Sequence, residues 1–353
     1  MKVLRDPPPV AVLILNYNGM RFLPECLASV RENAYPATDV YLIDNASHDA
    51  SVSWVRAHEP TVGIFQNTAN LGFAPAYDHA VRFLVDYRYH VLLNNDTVVE
   101  RDWLVQLVQA AELDDRVAAC GSKILMMHDR SLIDHAGGLF TWIGSGLDMG
   151  KWTTDKEKDT KARETGFGCG ASLLVRRSAY LDVGGFDTAY TMYHEDVDLC
   201  WRLRMAGYSV LHVPSSVVYH HGGGIDRQGI DLHPARTCFC QRNRLANIFK
   251  NMPAGRIPLA MAVSAVYDAV RIARLAALGR RNVVEAILRG YREAFASAGS
   301  MLRKRKDFLS RVNVAQERAL PFLASIPSSA SAYRCMLQAQ RARGTAQRNQ
   351  DGH

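Results

Sequence analysis

The pattern that most restricts the fold of this chain is a unit of apolar strand, polar turn and helix, used three times before Asp102. Val10–Asn16 (VAVLILN) is a continuous apolar run of strand length, as in strands covered on both faces of a parallel sheet. It ends in Asn16-Tyr17-Asn18-Gly19, and a helical pattern follows to about Glu32. A second strand, Asp39–Ile43, ends in Asp44-Asn45-Ala46-Ser47, with a helix to about His58 and a short strand around Val62–Gln66 behind it. Asn70-Leu71-Gly72-Phe73-Ala74 opens a helix to about Val85, and a third buried strand, His90–Leu93, ends in Asn94-Asn95-Asp96-Thr97. The repetition predicts a doubly wound α/β half with polar residues at the carboxyl ends of its strands, where such sheets place ligands.

The first turn is not GxGxxG and no P-loop is present, so neither a dinucleotide fingerprint nor a Walker site is indicated. Further on, the pattern predicts a helix over Trp103–Leu113 and a strand over Val117–Leu125. A Gly-rich loop follows from His135 to Gly150, and Lys151–Glu164 reads as a charged, exposed and mobile loop. Phe167–Val175 returns to the core, with Gly168, Gly170 and Ala171 small enough to let a ligand approach. The seven cysteines are odd in number and scattered, with no CxxC pair, which argues against a disulfide framework or structural zinc and suits a reducing cytoplasm. Three prolines interrupt the N-terminal MKVLRDPPPV, so no secretory signal is expected.

Charge divides the chain. From Arg236 onward there are 21 Lys+Arg against 6 Asp+Glu, whereas the first 235 residues hold 21 basic and 29 acidic residues. The split predicts an acidic or neutral catalytic half and a basic region suited to phosphate, nucleic acid or an anionic membrane. Clustered aromatics of the base-stacking type are missing from the basic region, so no nucleic-acid partner is expected. Ile257–Leu278 is apolar, but Asp268, Arg271 and Arg274 would be costly in a bilayer core. An amphipathic helix lying on a membrane or packed on the domain fits better.

Three carboxylates, Glu195, Asp196 and Asp198, crowd into Tyr193–Arg202 (YHEDVDLCWR), in a short helix that Gly207 closes. Adjacent carboxylates repel, so a cation, proton or substrate hydroxyl is needed to offset the cluster, unless it is a solvated helix N-terminus. Asp96, beside Asn94 and Asn95 at a strand end, suits a hard divalent cation that keeps waters and takes phosphate oxygens, or else caps the next helix. Asp44 has the same placement one strand earlier, facing a nucleobase or ribose, or closing an Asx turn.

These motifs together resemble family 2 glycosyltransferases with a GT-A fold, nearest in pattern to bacterial rhamnosyltransferase-like members. The matches are LILNYNG, LIDNASHD, NLGFA, LLNNDT, GASLLVRR, GGFDTAYTMYHEDVDLCWRLRMAGY and YHHGGG, in the family's order over roughly residues 10–250. Two departures are visible. Pro75-Ala76-Tyr77-Asp78 follow NLGFA where the family commonly has glycines and asparagine, and Asn94 stands where many members have an Asp.

The resemblance implies a Rossmann-like nucleotide-diphospho-sugar transferase, with a mixed sheet flanked by helices and a C-terminal helical extension. It implies that Asp44, with Asn16 and Asn45, holds the base and ribose, and that Asn70, Gly72, Asn94, Asn95, Gly170 and Ala171 contact the donor. Asp96 and His220 would hold Mg2+ or Mn2+, with His221 able to exchange with His220; His48, His79 and His194 are expected to be surface or structural. Asp196 would be the base, Glu195 its neighbour, Trp201 and Arg202 the acceptor or diphosphate side, and Asp198 structural. The implied enzyme is an inverting, metal-dependent hexosyltransferase moving a sugar, rhamnose among the options, from a nucleotide diphosphate to a glycan or polyprenyl-linked acceptor in cell-surface polysaccharide synthesis. The alternative is a non-catalytic nucleotide-sugar or glycan-binding subunit. The expected organisation is a catalytic domain over 1–235, a basic helical region over 236–340 for membrane-surface or oligomer contact, and a disordered tail over 341–353. The expected location is cytoplasmic, peripheral at the inner face of the plasma membrane.

Overall fold

The structure, a computed structural model, describes residues 6–156, 160–222, 233–311 and 316–325. The expected tail over 341–353 and the last two glycines of YHHGGG lie outside these residues. In chain order the elements are β1 (Val10–Asn16), α1 (Leu23–Arg31), β2 (Thr38–Asp44), α2 (Ser51–His58), β3 (Gly63–Gln66), α3 (Phe73–Phe83), β4 (Tyr89–Asn94) and β5 (Thr97–Val99). Then come α4 (Trp103–Ala111), β6 (Val117–Met126), β7 (Asp129–His135), β8 (Gly138–Phe140), β9 (Gly146–Asp148), β10 (Arg163–Glu164), β11 (Ser172–Arg176), α5 (Arg177–Asp182) and α6 (Glu195–Met205). The last are β12 (Ser209–His220), α7 (Pro234–Asn251), α8 (Ile257–Ala277) and α9 (Arg281–Arg311).

The chain divides into two compact units. One comprises the described residues up to Gly138 together with Asp148–His221, the other Leu139–Leu147 and the described residues from Gly222 onward. The first unit is built on a mixed sheet whose main path runs β10-β12-β6-β11-β4-β1-β2-β3. Strands β4, β1, β2 and β3 are parallel, β6 and β12 are parallel to each other, and β11 runs antiparallel between β4 and β6. Helices flank the sheet, as the sequence led one to expect. One face is filled by Val10, Val12 and Ile14 of β1 with Val91 and Leu93 of β4, packed on Leu23 and Leu27 of α1 and Trp103, Leu107 and Val108 of α4. Burying one such aliphatic side chain contributes about 1.5–3 kcal/mol.

Register brings the chemistry to one edge. Asn16 pairs with Asp44 and Leu15 with Asn94, so the polar ends of β1, β2 and β4 lie side by side. Because β11 is antiparallel to β4, its beginning is at that same edge, with Ser172 opposite Leu93. The end of β12 arrives there too: His220 is opposite Thr97 of β5 and Met126 of β6.

Two expectations change. The Gly-rich region includes the β8–β9 hairpin, and the charged stretch after it, described at 151–156 and 160–164, is mostly exposed as expected but anchored at several points. Lys123 Nζ donates to Asp155 at 2.7 Å, Lys151 Nζ to Asp134 at 2.8 Å, and Arg163–Glu164 joins the sheet beside β12. The residues after NLGFA prove to be core. Pro75 lies in the first turn of α3, where its missing N–H has no helical partner to lose. Tyr77, fully buried, donates to the Leu93 carbonyl at 2.8 Å, and Asp78 accepts from Tyr180 and Arg82.

The second unit is helical. Asp268 of α8 is turned inward, where it accepts from Gln241 and Arg244 of α7 and from Tyr291 of α9. Among the described residues no helix is long and apolar enough to cross a membrane.

Candidate functional site

At the ends of β1, β2 and β4 the polar side chains bond to one another. Asn16 Nδ2 donates to Asp44 Oδ1 at 3.1 Å and to Ser47 Oγ at 3.0 Å, and Asn16 Oδ1 accepts from Asn95 at 2.7 Å. Asp44 Oδ2 accepts from the Ser47 amide, three residues on, at 3.0 Å. Gly19 permits this arrangement, because a Cβ there would stand 1.8 Å from Asn95 Nδ2 and 2.4 Å from Asn16 Oδ1. Asn16, Asp44 and Asn45 are at most 2% exposed. They are bonded to one another and to the neighbouring turns, which orders the edge. Tyr17, nearly half exposed, with Asn18 and His48, is what this part of the edge presents to solvent.

The NLG turn is fastened to the acidic motif. Asn45 Nδ2 donates to the Gly72 carbonyl at 2.9 Å, and Asn70 Oδ1 accepts from the Gly72 amide at 3.0 Å. The Thr191 carbonyl accepts from the amides of Phe73 and Ala74, the first donors of α3. Gly72 has φ +85°, and a Cβ on it would stand 2.6 Å from Thr191 Cγ2, so no other residue fits this junction. Thr191, Tyr193 and His194 all have positive φ, a run of sparsely populated conformations directly ahead of α6. This strained entry sets Glu195 and Asp196 in the first turn of α6, where the helix dipole favours carboxylates.

Within the cluster the three carboxyls have distinct surroundings. Asp196 is half-buried, and its Oδ2 accepts from the Gly170 amide at 3.0 Å. Burial raises its pKa, against the bonds from Gly170 and Val197 that favour the anion, and Asp148 adds repulsion. Glu195 is buried, its Oε2 has no hydrogen-bond partner, and burial followed by repulsion from Asp196 pushes its pKa well up. Asp198 is fully buried and accepts from Arg202 at 3.0 and 2.6 Å.

Across the edge, His220 Nε2 lies 3.3 Å from Asp96 Oδ1, while its Nδ1 lies 2.8 Å from Asp134 Oδ2. Asp134 also receives Lys151, which reaches Asp148 at 3.5 Å, and Asp148 in turn is 2.9 Å from His135. Burial opposes a charge on His220, but the bonds to Asp134 and Asp96 outweigh it and raise its pKa to about 9. Asp96 is held below the usual carboxylate range, burial being overcome by the bond from His220. Strand alternation turns the next residue away: His221 is 3.7 Å from Glu25 and packs on the Phe22 ring. The Asp96 side chain faces His220 and caps no helix; Asp102 holds the N-cap position of α4.

Asp96 and His220 fit a divalent cation. Among the described residues no group of three or more His, Cys, Asp or Glu forms a complete cage, so two protein donors would leave positions for water and phosphate oxygens. A carboxylate behind the far nitrogen of a histidine is the arrangement that orients metal-binding imidazoles.

Three residues expected at the site are buried. Arg202 is buried against Asp198 and donates to the Val183 carbonyl at 2.7 Å, Trp201 is 2% exposed in the core, and Ala171 is buried, its carbonyl accepting from the Asn94 amide. Helix α6 is buried nearly all round, which places 201 and 202 inside, and the i,i+4 spacing of Asp198 and Arg202 was the available signal. Conversely, Asp134, His135, Asp148 and Lys151 were not singled out by their sequence, because each belongs to the site only through partners on other strands. Electrostatics joins the two halves of the edge: Asp148, in the chain of contacts from His220, repels the Asp196 carboxylate.

Comparison with known proteins agrees with this geometry. Residues 11–184 match the family model for Glycosyl transferase family 2. The chain is 30% identical over 231 residues to the N-acetylglucosaminyl-diphospho-decaprenol L-rhamnosyltransferase of Mycobacterium tuberculosis, spanning 60% of this chain and 75% of that one. It is 29% identical over 164 residues to Rhamnosyltransferase WbbL of Escherichia coli (strain K12), covering 45% and 62% respectively. In fold it is similar to the crystal structure of GalNAc-T7 with UDP, GalNAc and Mn2+, with a TM-score of 0.56, 17% identity, and coverage of 69% of this chain and 48% of that one.

Proposed function

Because this chain belongs to glycosyl transferase family 2, and is a glycosyltransferase, we propose that its sheet edge moves a sugar from a nucleotide-diphosphate donor to a hydroxyl with inversion at the anomeric carbon. The observation that carries the reading is the pair Asp96–His220, 3.3 Å apart, with Asp134 behind the histidine and Asp196 in the same charged neighbourhood. Asp96 and His220 would hold Mg2+ or Mn2+, which when bound supplies positive charge to the departing diphosphate.

The chain's own residues do the rest. An acceptor hydroxyl is a poor nucleophile at neutral pH and needs a base as its bond to C1 forms. Asp196 takes that proton: it is half-buried, raised in pKa by burial, and fixed by the Gly170 amide. Attack from the face opposite the diphosphate breaks the C1–O bond and releases the nucleoside diphosphate, with no covalent sugar–enzyme intermediate. Glu195 sits beside the base, where its raised pKa favours the protonated form and spares Asp196 a second adjacent charge. Asn16, Asp44, Asn45, Asn95 and Gly72 shape the donor side from below, and Tyr17 and Asn18 are the exposed groups there.

The names of the two relatives support rhamnose as donor sugar, and the Mycobacterium relative's name supports a polyprenyl-diphosphate-linked acceptor of the kind used to build cell-surface glycans at the cytoplasmic membrane face. The test is release or transfer of sugar from a panel of nucleotide sugars with Mg2+ or Mn2+. Turnover of one donor, lost in Asp96→Ala and in Asp196→Asn, supports the reading. Metal-independent turnover, or turnover indifferent to both substitutions, defeats it.

A further inference from the structure

Helix α8 has two unlike faces. Ala260, Ser264, Asp268 and Leu275 are buried against the rest of the second unit. The opposite face exposes Leu259 (51%), Val266 (67%), Val270 (67%) and Leu278 (53%), and every other exposed position between Leu259 and Leu278 is alanine except Arg274. A helix facing water ordinarily turns polar residues outward; here the outward face has no hydroxyl, amide or carboxylate over a span of about 28 Å at 1.5 Å per residue. A continuous exposed apolar strip of this kind marks an interaction surface.

Charge identifies the partner. Around the strip stand Arg256, Arg271, Arg274, Arg280 and Arg281. The helix's one acidic residue, Asp268, is turned inward and bonded to Gln241, Arg244 and Tyr291, so α8 itself brings no carboxylate to its outer face. A second copy of the chain is disfavoured, since from Arg236 onward 21 Lys+Arg face 6 Asp+Glu and two such surfaces repel. An anionic surface with an apolar interior attracts both halves of the pattern.

We propose that the outer face of α8 lies in the plane of a bilayer rich in anionic phospholipid, with its Leu, Val and Ala side chains among the upper acyl chains and its arginines at the lipid phosphates. The helix rests on the membrane and does not cross it. The proposal deepens the glycosyltransferase reading by naming the surface where a lipid-linked acceptor would be met. It rests on that reading only for its use, and its test involves no sugar transfer.

The experiment is co-sedimentation of the full chain with vesicles of phosphatidylglycerol mixed with phosphatidylethanolamine, against vesicles of phosphatidylcholine. The expected result is binding to the phosphatidylglycerol vesicles, at least tenfold weaker to phosphatidylcholine and weakening as salt rises. Val266→Glu with Val270→Glu lowers vesicle binding at least tenfold at an unchanged melting temperature, and Arg274→Gln with Arg280→Gln lowers it several-fold. Equal binding to both vesicle types, no binding to either, or undiminished binding by the double Glu variant overturns the proposal. So does light scattering that shows a wild-type dimer dissolved by the same Glu substitutions, which would assign the strip to a second copy.

Discussion

His220 meets Asp96 at 3.3 Å where β12 ends beside β5, the two residues lying more than a hundred positions apart in sequence. Neither is placed by its own turn alone. Asp96 follows the buried strand β4, while His220 is carried to the same edge by a long strand paired with β6 on either side of a register shift between Val213 and Val217. With the imidazole's second nitrogen on Asp134, the ring has a fixed plane and a single free direction, toward Asp96.

Asp134 therefore acts through His220. Asp134→Asn is expected to weaken Mn2+ binding by about 10–100-fold, the usual effect of losing a carboxylate behind a metal-binding histidine, while leaving the fold intact. Mn2+ titration followed by electron paramagnetic resonance checks this; an unchanged affinity would show that the Asp134 contact is incidental.

Asp196→Asn removes the base while keeping the side chain's size. Transfer should fall by about 10²–10⁴-fold, with donor affinity changed little. Calorimetric titration of the nucleotide sugar beside single-turnover transfer separates the two effects.

The acid limb of the rate profile follows from the direction of the Asp196 shift. Transfer needs the ionised carboxylate, and burial raises its pKa above 3.8, so activity is lost as pH falls through a midpoint above the ordinary aspartate value. A profile of kcat/KM that stays flat down to pH 4 would contradict this assignment.

Glu195 links the same burial to stability. Its folded-state pKa is raised above 4.5, so the folded state holds a proton that the unfolded state gives up, and stability falls as pH rises from 4.5 toward the raised value. The slope reaches at most about 1.4 kcal/mol per pH unit for one proton. Glu195→Gln should flatten the fall in melting temperature between pH 5 and 7, measured by calorimetry in parallel with the wild type.

Asp198 and Arg202 form a pair buried on both sides. Asp198→Ala leaves the guanidinium uncompensated in the core and is expected to cost about 3–5 kcal/mol, read from urea unfolding. A loss below 1 kcal/mol would mean that the Val183 carbonyl and local water suffice to hold Arg202.

What the sequence disclosed and what it hid divide along physical lines. The strands β1, β2 and β4 were legible because a buried parallel strand is an uninterrupted apolar run, and the polar residues that stop it are visible next to it. Asp96 could be nominated from its turn, and His220 through the family resemblance. The inward orientation of Asp44 was not visible, because it depends on the register that sets Asn16 directly beside it. Asp134, Asp148 and Lys151 stayed hidden for the same reason: charge in a stretch such as Lys151–Glu164 reads as solvated until partners on β6 and β7 are known. Trp201 and Arg202 were assigned to the acceptor or diphosphate side through the family resemblance, and the packing of α6 that buries both was not legible there.

The most direct measurement of the central claim is Mn2+ binding to the full chain in the presence of a nucleoside diphosphate, for the wild type, Asp96→Ala and His220→Ala. One Mn2+ per chain that depends on the diphosphate, and at least tenfold weaker binding in each variant, is the predicted result. Wild-type affinity retained in both variants would contradict it.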